Sequence, residues 1–385
     1  MSAVIEATTP EAVLASAVEL GPAIAARAAE IEAARRIPKD LLEQLIAAGC
    51  FRVLLPASHH GVGADLAGTL RVIEALARAD ASVGWTVMIG GVGWCDFVGL
   101  PRATFDAIFA RPDVIVAGAF APTGSIAPAG DGYRVNGRWS FASGCEHAAW
   151  LFGNCIEGIV DGQPRMRTAV LAADEVVIED TWYVSGLCGT GSHHFRADDV
   201  VVPAERTFVP LGDEPCLDDP VVRIPVPSMF ALGIAGAAAG AARGALDDIL
   251  ALAAGKVPLL APGALATNPL FQFDLATADT DLRGARALLY ETAESAWAKA
   301  VAGDEFTLED RARLRAAATW ATARATSVVD VAHRSGGGSA VYADSPLQRR
   351  HRDMHALTQH FLVKPDTMTV AGGILAGQGL SNPVF

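Results

Sequence analysis

Positive charge is in short supply in this 385-residue chain: 30 Lys and Arg face 43 Asp and Glu, for a formal net charge of −13. Phosphate backbones and anionic membrane surfaces both repel such a chain, so neither nucleic acid nor a membrane is expected as a partner. Cysteine is sparse as well. The six (Cys50, Cys95, Cys145, Cys155, Cys188 and Cys216) include no C-x-x-C pair, which reads as reduced, mostly buried thiols and not as a disulfide frame or zinc ribbon. No basic stretch leads into an apolar run at Met1-Ser-Ala-Val-Ile-Glu, so no signal peptide is expected. The most apolar run, Met229 to Ala242, stops at Arg243 and falls short of the roughly 20 residues of a membrane span. These absences together place the chain in the cytoplasm.

Several familiar signatures are missing too. Gly336-Gly-Gly-Ser339 has no following Lys-Ser/Thr, so it is no P-loop, and no G-x-G-x-x-G links a strand to a helix, so no Rossmann unit for NAD(P)H is expected. Gly124-Ser125 and Ser143-Gly144 lack the setting of a nucleophile elbow. His351 and His355 have the i, i+4 spacing of a zinc helix without the glutamate of H-E-x-x-H or an evident third ligand, so no metal is expected.

What the chain does have is apolar material, 51% of its residues, enough for a large core in two or three domains. Residues 1–113 read as helical: Glu11 to Arg36 repeats apolar residues every three or four positions, Pro38 starts a short helix over Lys39 to Cys50, Gly61 and Gly63 interrupt, and helix resumes from Leu66 to about Leu100. Residues 114–224 are β-rich, with Val114-Ile-Val-Ala-Gly-Ala-Phe, Tyr133-Arg-Val-Asn-Gly-Arg-Trp and Thr168-Ala-Val-Leu as strands and Asp131-Gly132 and Asn136-Gly137 as hairpin dipeptides. No helices separate these strands, which predicts an antiparallel sheet or barrel. Residues 225–385 are helical and Ala-rich. Gly233, Gly236, Gly240 and Gly244 share one face at offsets 0, 3, 7 and 11. Each costs up to about 1 kcal/mol against alanine, which predicts a smooth face for a close-packed partner helix, although compositional drift explains any single glycine equally well. The fold class is therefore α+β: a helical domain, a β-domain and a helical bundle.

Particular segments resemble a family. Arg36-Ile-Pro-Lys-Asp-Leu-Leu, Gly49-Cys-Phe-Arg-Val-Leu-Leu-Pro and Ala81-Ser-Val-Gly-Trp resemble the N-terminal domain of the acyl-CoA dehydrogenase superfamily. Asp131-Gly-Tyr-Arg-Val-Asn-Gly-Arg-Trp-Ser-Phe-Ala-Ser-Gly-Cys resembles its flavin-contacting β-domain. Gly186-Leu-Cys-Gly-Thr-Gly-Ser-His and Asp198-Asp-Val-Val-Val-Pro resemble the strands that follow, and Arg349-Arg-His-Arg-Asp-Met-His its C-terminal arginine-aspartate helix. The likeness spans nearly the whole chain in the family's order. The Trp139-to-Cys145 and Gly189-to-His193 segments are most similar to the two-component flavin-dependent monooxygenases. That resemblance implies a C-terminal four-helix bundle and a homotetramer. It also implies reduced FAD or FMN from a separate NAD(P)H-dependent flavin reductase, reaction with O2 to a flavin C4a-hydroperoxide, and a small aromatic substrate, indole-like or phenolic.

The residues can be tested against the family's other chemistry. A dehydrogenase needs a carboxylate base near the C-terminus or at the start of the first bundle helix. The matching stretches here, Ala371-Gly-Gly-Ile-Leu-Ala-Gly and Ser228-Met-Phe-Ala-Leu, hold none. A monooxygenase needs a hydrogen bond at flavin N5 and a dry pocket. Ser143 matches the N5 position, and His360 a histidine that approaches the flavin; His360 lies seven positions after Asp353, on the same helical face, with His355 a second choice. The resemblance further implies flavin contacts from Phe120, Thr123, Trp139, Ser140, Gly337, Arg352 and Asp353. Gly337 belongs to a turn that would serve a neighbouring subunit. Trp139 and Phe141 alternate along a strand, so an aromatic face could line the pocket, and core packing accounts for either ring as well. Where several relatives carry a substrate-facing histidine, between Ser82 and Phe97, this chain has Gly90-Gly-Val-Gly-Trp; substrate contact is then expected to be apolar, through Trp85 or Trp94, with Phe141 and Phe230 completing the wall. Two rivals stand beside this reading: an acyl-CoA dehydrogenase or nitroalkane-type oxidase, and a non-catalytic relative kept as a binding protein.

Overall fold

The computed structural model describes residues 9–160, 162–210, 212 and 214–380. The chain opens with α1 (Pro10–Ala26), α2 (Ala28–Ala34), α3 (Lys39–Ala47), α4 (Leu66–Ala79), α5 (Ala81–Val92) and α6 (Arg102–Ile108). Two segments expected as single helices are each divided. Arg27 leaves helical geometry at φ −102° and bends α2 by 73° from α1, its guanidinium held by Glu30 and Asp40. Asp80, extended at φ −150°, separates α4 from α5 and accepts the Ser82 and Val83 amides, trading helix continuity for an N-cap. The Cys50 end of the third expected helix is a short 3₁₀ turn, Cys50–Arg52, beyond α3.

The middle of the chain forms β1 (Val116–Ala129), β2 (Gly132–Trp139), β3 (Trp150–Val160), β4 (Gln163–Ala172), β5 (Val177–Glu179), β6 (His194–Pro203) and β7 (Thr207–Phe208) in one sheet ordered β5-β6-β2-β1-β3-β4-β7. All neighbours run antiparallel except β1 and β3, which pair in parallel from Val116↔Trp150. The reason is a crossover. After the β1–β2 hairpin, turned at Gly130 and Asp131 with Gly130 at φ 61°, residues 140–149 pass the end of β1 and start β3 on its other side. Asn136-Gly137, expected as a turn, lies inside β2. There the register with β6 slips between Val135 and Gly137, and the Asn136 side chain accepts the Asp199 amide instead of turning the chain.

The C-terminal layer is α7 (Val226–Gly255), α8 (Pro269–Ala302), α9 (Leu308–Gly336), α10 (Pro346–Leu357) and α11 (Asp366–Leu375). At 30 residues α7 outruns its most apolar stretch and is long enough to span a bilayer, yet 94% of its apolar window is buried within the fold. Its glycines take the close approach their spacing predicts. A Cβ on Gly240 would stand 2.2 Å from the Glu74 carbonyl of α4, and one on Gly244 2.4 Å from the Arg78 carbonyl. A continuous apolar core joins α4, α5 and the C-terminal helices, and a second one, around Trp139 and Phe195, fills the β-domain.

Candidate functional site

A cavity of about 850 Å³ opens between the sheet, α5, α7 and α10, within the roughly 300–1,000 Å³ of small-molecule sites. Of the residues singled out in the sequence, Trp85, Phe120, Ser140, Phe141, Ser143, Phe230, Arg352 and His360 line it, as does His355. Its wall is aromatic: Phe120 meets Phe152, Phe230 and Phe361 edge-on at centroid distances of 5.5, 5.5 and 6.3 Å.

Ser143 sits on the crossover, buried at 7% exposure, and its hydroxyl belongs to a chain with one possible direction. Thr190 Oγ1 lies 2.7 Å from the Leu187 carbonyl, which can only accept, so the threonine proton is committed there. Ser192 must then donate to Thr190 (2.7 Å), and Ser143 to Ser192 (2.7 Å). Trp85 Nε1–H donates to Ser143 at 3.0 Å. Ser143 Oγ has therefore spent its proton and keeps one lone pair free: it can only accept from a ligand. Backbone bonds from Ala142 N to the His193 carbonyl and from Gly144 N to the Thr190 carbonyl hold the two loops together.

His360 lies beyond the end of α10, at φ −67° and ψ 130°, so the shared helical face with Asp353 does not exist; a turn delivers the ring to Trp85, 5.6 Å between centroids. Leu362 N donates to its Nδ1 at 3.3 Å, which leaves the proton on Nε2. Burial, with help from the Arg315 charge, pushes the imidazole down to about 4. His360 is a neutral hydrogen-bond donor at ordinary pH. His355 instead gives its Nε2 to Asp330 Oδ1 at 2.9 Å. Asp330, His351 and His355 have ligand atoms within 4.8 Å of one another, so packing supplies the third partner that the sequence spacing did not reveal.

Other expected residues stand outside the cavity. Trp139 is wholly buried in the β-domain core, stacked on Phe195 at 4.9 Å, with Nε1 on the Asn154 carbonyl. Phe141 parts from it because β2 ends at Trp139 and Phe141 takes φ 66°, which breaks the strand alternation and swings its ring to the cavity mouth, 70% exposed. Trp94 packs into the helical core against Phe105. Thr123 is exposed and bonded to the Arg138 carbonyl, and Gly337 lies at the end of α9. Asp353 is buried behind the wall, where it accepts the Leu187 amide at 2.7 Å and so positions the acceptor of the hydroxyl chain. Burial and the neighbouring Asp80 carboxylate raise its carboxyl to about 7. Arg352 reaches the cavity with its charge already engaged by Glu32 and the Ser185 carbonyl. Gly186 makes that fit possible, since a Cβ there would lie 2.1 Å from the Arg352 carbonyl.

Sequence reasoning missed Thr190, Ser192, Trp182, Phe152 and Phe361, all on the wall, and above all Asp96. The Gly186-to-His193 resemblance pointed at the first two without assigning them a task. Asp96 stood two residues past Gly90-Gly-Val-Gly-Trp94, the stretch read as apolar.

Residues 19–97 match the model of the acyl-CoA dehydrogenase N-terminal domain and residues 232–365 that of the acyl-CoA dehydrogenase C-terminal domain. An indole-3-acetate monooxygenase of Pseudomonas putida is 34% identical over 94% of this chain and 96% of its own length. The oxygenase subunit HsaA of a flavin-dependent monooxygenase from Rhodococcus jostii is 32% identical over 91% and 94%. The crystal structure of a 3-HSA hydroxylase from Rhodococcus sp. RHA1 superposes with a TM-score of 0.89 at 29% identity, covering 97% of this chain and 99% of that one. With the missing dehydrogenase base and the directed hydroxyl chain at Ser143, these likenesses place the chain in the acyl-CoA dehydrogenase superfamily, among the oxygenase components of two-component flavin-dependent monooxygenases.

Proposed function

We propose that this cavity binds reduced flavin, FAD or FMN, delivered by a separate NAD(P)H-dependent reductase in the cytoplasm, and that the chain hydroxylates or epoxidises a small aromatic or heteroaromatic substrate, indole-like or phenolic, with O2. The flavin, when bound, supplies the electrons that activate O2. The observation that carries the reading is the free lone pair of Ser143: a reduced flavin ring offers an N–H donor, and the Trp85–Ser143–Ser192–Thr190 chain holds an acceptor for it. The fit extends to the aromatic wall of Phe120, Phe141, Phe152, Phe230 and Trp182, which suits a flat ring and a second flat ring beside it and keeps water away from both. His360 would hold its Nε2 proton beside Trp85 for an oxygen that needs a donor.

The dehydrogenase rival lacks its base. Phe230 occupies one base position on the cavity wall, and residues 371–377 do not line the cavity. Asp96 is the only acid among the described lining residues, and burial raises its carboxyl well above the ordinary range, so it holds its proton. Supplying reductase, NADH, flavin and O2 should yield hydroxylated aromatic product. Anaerobic bleaching of the oxidised flavoprotein by an acyl-CoA would overturn the reading, and the absence of any flavin binding would favour the non-catalytic relative. The exposed Val341 and Tyr342 beside the Gly337 turn, at 76% and 71%, support a homotetramer in which a neighbouring subunit covers them; light scattering should give four chains per particle.

A further inference from the structure

The wall of α5 and the turn after it presents Trp85, Ile89, Gly93 and Asp96 to the cavity at offsets 0, 4, 8 and 11, one helical face. Trp85 marks the Ser143 end. Asp96 stands about 16 Å further along the axis at helical rise. Asp96 is half-buried: its Oδ2 is sealed off without a hydrogen-bond partner among the described residues, and its Oδ1, which makes no hydrogen bond or ion pair there either, is the oxygen left for the cavity. The buried acids behave differently: Asp80 caps α5, Asp353 takes the Leu187 amide, and Glu74 is met by Tyr290 and Arg286. A carboxyl oxygen shut away unpaired destabilises a fold, and among the described residues Asp96 makes no bond that offsets it. An acid kept at that cost, in the wall of a cavity that Phe152 and Phe230 also line, is an acid whose partner arrives with the ligand.

We propose that Asp96 is the polar anchor of the substrate site and takes the hydrogen-bond donor of an uncharged aromatic ring, a ring N–H or a phenolic O–H. The assignment rests on the oxygenase reading, in that it presumes an aromatic substrate beside the flavin. The ring would lie between Ile89 and the phenyl groups of Phe152 and Phe230, and Asp96 would fix which edge faces inward. That selects among rings of similar size and shape. The aromatic wall binds any of them, while the carboxyl rewards only those with a donor at the right edge. Burial supports this: with the carboxyl held protonated, its carbonyl oxygen still accepts, and no countercharge has to be brought into the cavity.

The test compares ring pairs that differ by one methyl group, indole with 1-methylindole and phenol with anisole. Binding to the flavin-loaded protein is measured calorimetrically without O2. The wild type should bind the donor-bearing member of at least one pair about tenfold more tightly, and the pair that does so identifies the donor. D96L and D96A should bring that ratio to about one, leave flavin affinity unchanged, and melt at or above the wild-type temperature, because an unpartnered acid has been removed. A wild-type ratio near one for both pairs, a ratio that survives D96L and D96A, or a lowered melting temperature in both variants would overturn the assignment. Failure to bind either donor-bearing ring would do the same. Turnover is scored separately: a wild type that makes no product with reductase, NADH and O2 defeats the oxygenase reading, while the binding ratio still decides Asp96.

Discussion

Replacing Ser143 by alanine removes one oxygen atom from the middle of a hydrogen-bonded chain. Two consequences follow from its geometry. Trp85 Nε1–H loses its acceptor at 3.0 Å, and Ser192 loses its donor at 2.7 Å. A buried donor left unpaired costs about 1–3 kcal/mol of stability, so S143A should lower the unfolding free energy by that order. The lone pair proposed to receive the flavin N–H is also lost. At about 1.4 kcal/mol per tenfold, one hydrogen bond of about 1–1.5 kcal/mol corresponds to a five- to tenfold change in the partition between substrate oxygenation and release of hydrogen peroxide. The assay measures product and peroxide per reduced flavin consumed, with reductase in excess and aromatic substrate saturating. S192A is the informative companion. It spares the Ser143 oxygen but frees its proton to point elsewhere, so its peroxide yield should fall between wild type and S143A. If S143A couples as tightly as the wild type, the hydroxyl chain has no part in the chemistry and Ser143 is a structural serine.

Further outcomes follow from the same structure. His360 is harder to protonate in the folded chain, at about 4, than at its ordinary 6.5, so protons favour the unfolded chain as pH falls through that interval. The wild type should lose up to roughly 3 kcal/mol of stability on that account between pH 6.5 and 4, and H360Q should not, as chemical denaturation across pH would register. Equal pH slopes for the two proteins would contradict the burial of this imidazole. Phe141 holds a left-handed backbone at φ 66°, which costs a non-glycine residue about 1–2 kcal/mol. F141G should therefore keep or raise the melting temperature while weakening flavin affinity severalfold, and a variant that loses stability with unchanged flavin binding would place Phe141 in the fold and not in the site. G240A should destabilise by about 1–3 kcal/mol or more, because its Cβ meets the Glu74 carbonyl at 2.2 Å, whereas G284A on the exposed side of α8 meets nothing within 4 Å and should gain about 0.5–1 kcal/mol. Equal effects at the two positions would mean that helix propensity alone governs both.

How much of this was legible beforehand depended on whether the determinant was local. Periodicity and turn chemistry are carried by neighbouring residues, so the helix–sheet–helix order and the glycine face of α7 could be read directly. Element boundaries were less accessible, since Asp80 ends α4 by preferring the role of cap, and Asn136-Gly137 bulges a strand because β6 lies alongside. The resemblance led to Ser143 as the hydrogen-bonding partner of flavin N5 and to His360 as a base or proton donor, but not to the direction in which either proton points. Those directions depend on Thr190 and Ser192, on a crossover loop held against theirs, and on the Leu362 amide that sets the His360 tautomer.

By itself the amino-acid sequence determined the domain order, the close-packed glycine face of α7 and the absence of a carboxylate where a dehydrogenase would need one, because each is written in contiguous residues or fixed periods. Tertiary structure alone decided which aromatic residues face the cavity. Trp139 and Phe141 look alike in a strand pattern, yet a single positive φ sends one ring to the core and the other to the cavity mouth. It decided the direction of the Ser143 proton as well, since a hydroxyl donates or accepts according to neighbours as distant in the chain as Ser192. And it alone picked out Asp96, whose carboxyl finds no partner among the described residues, a property of the space around a residue and not of the residues beside it.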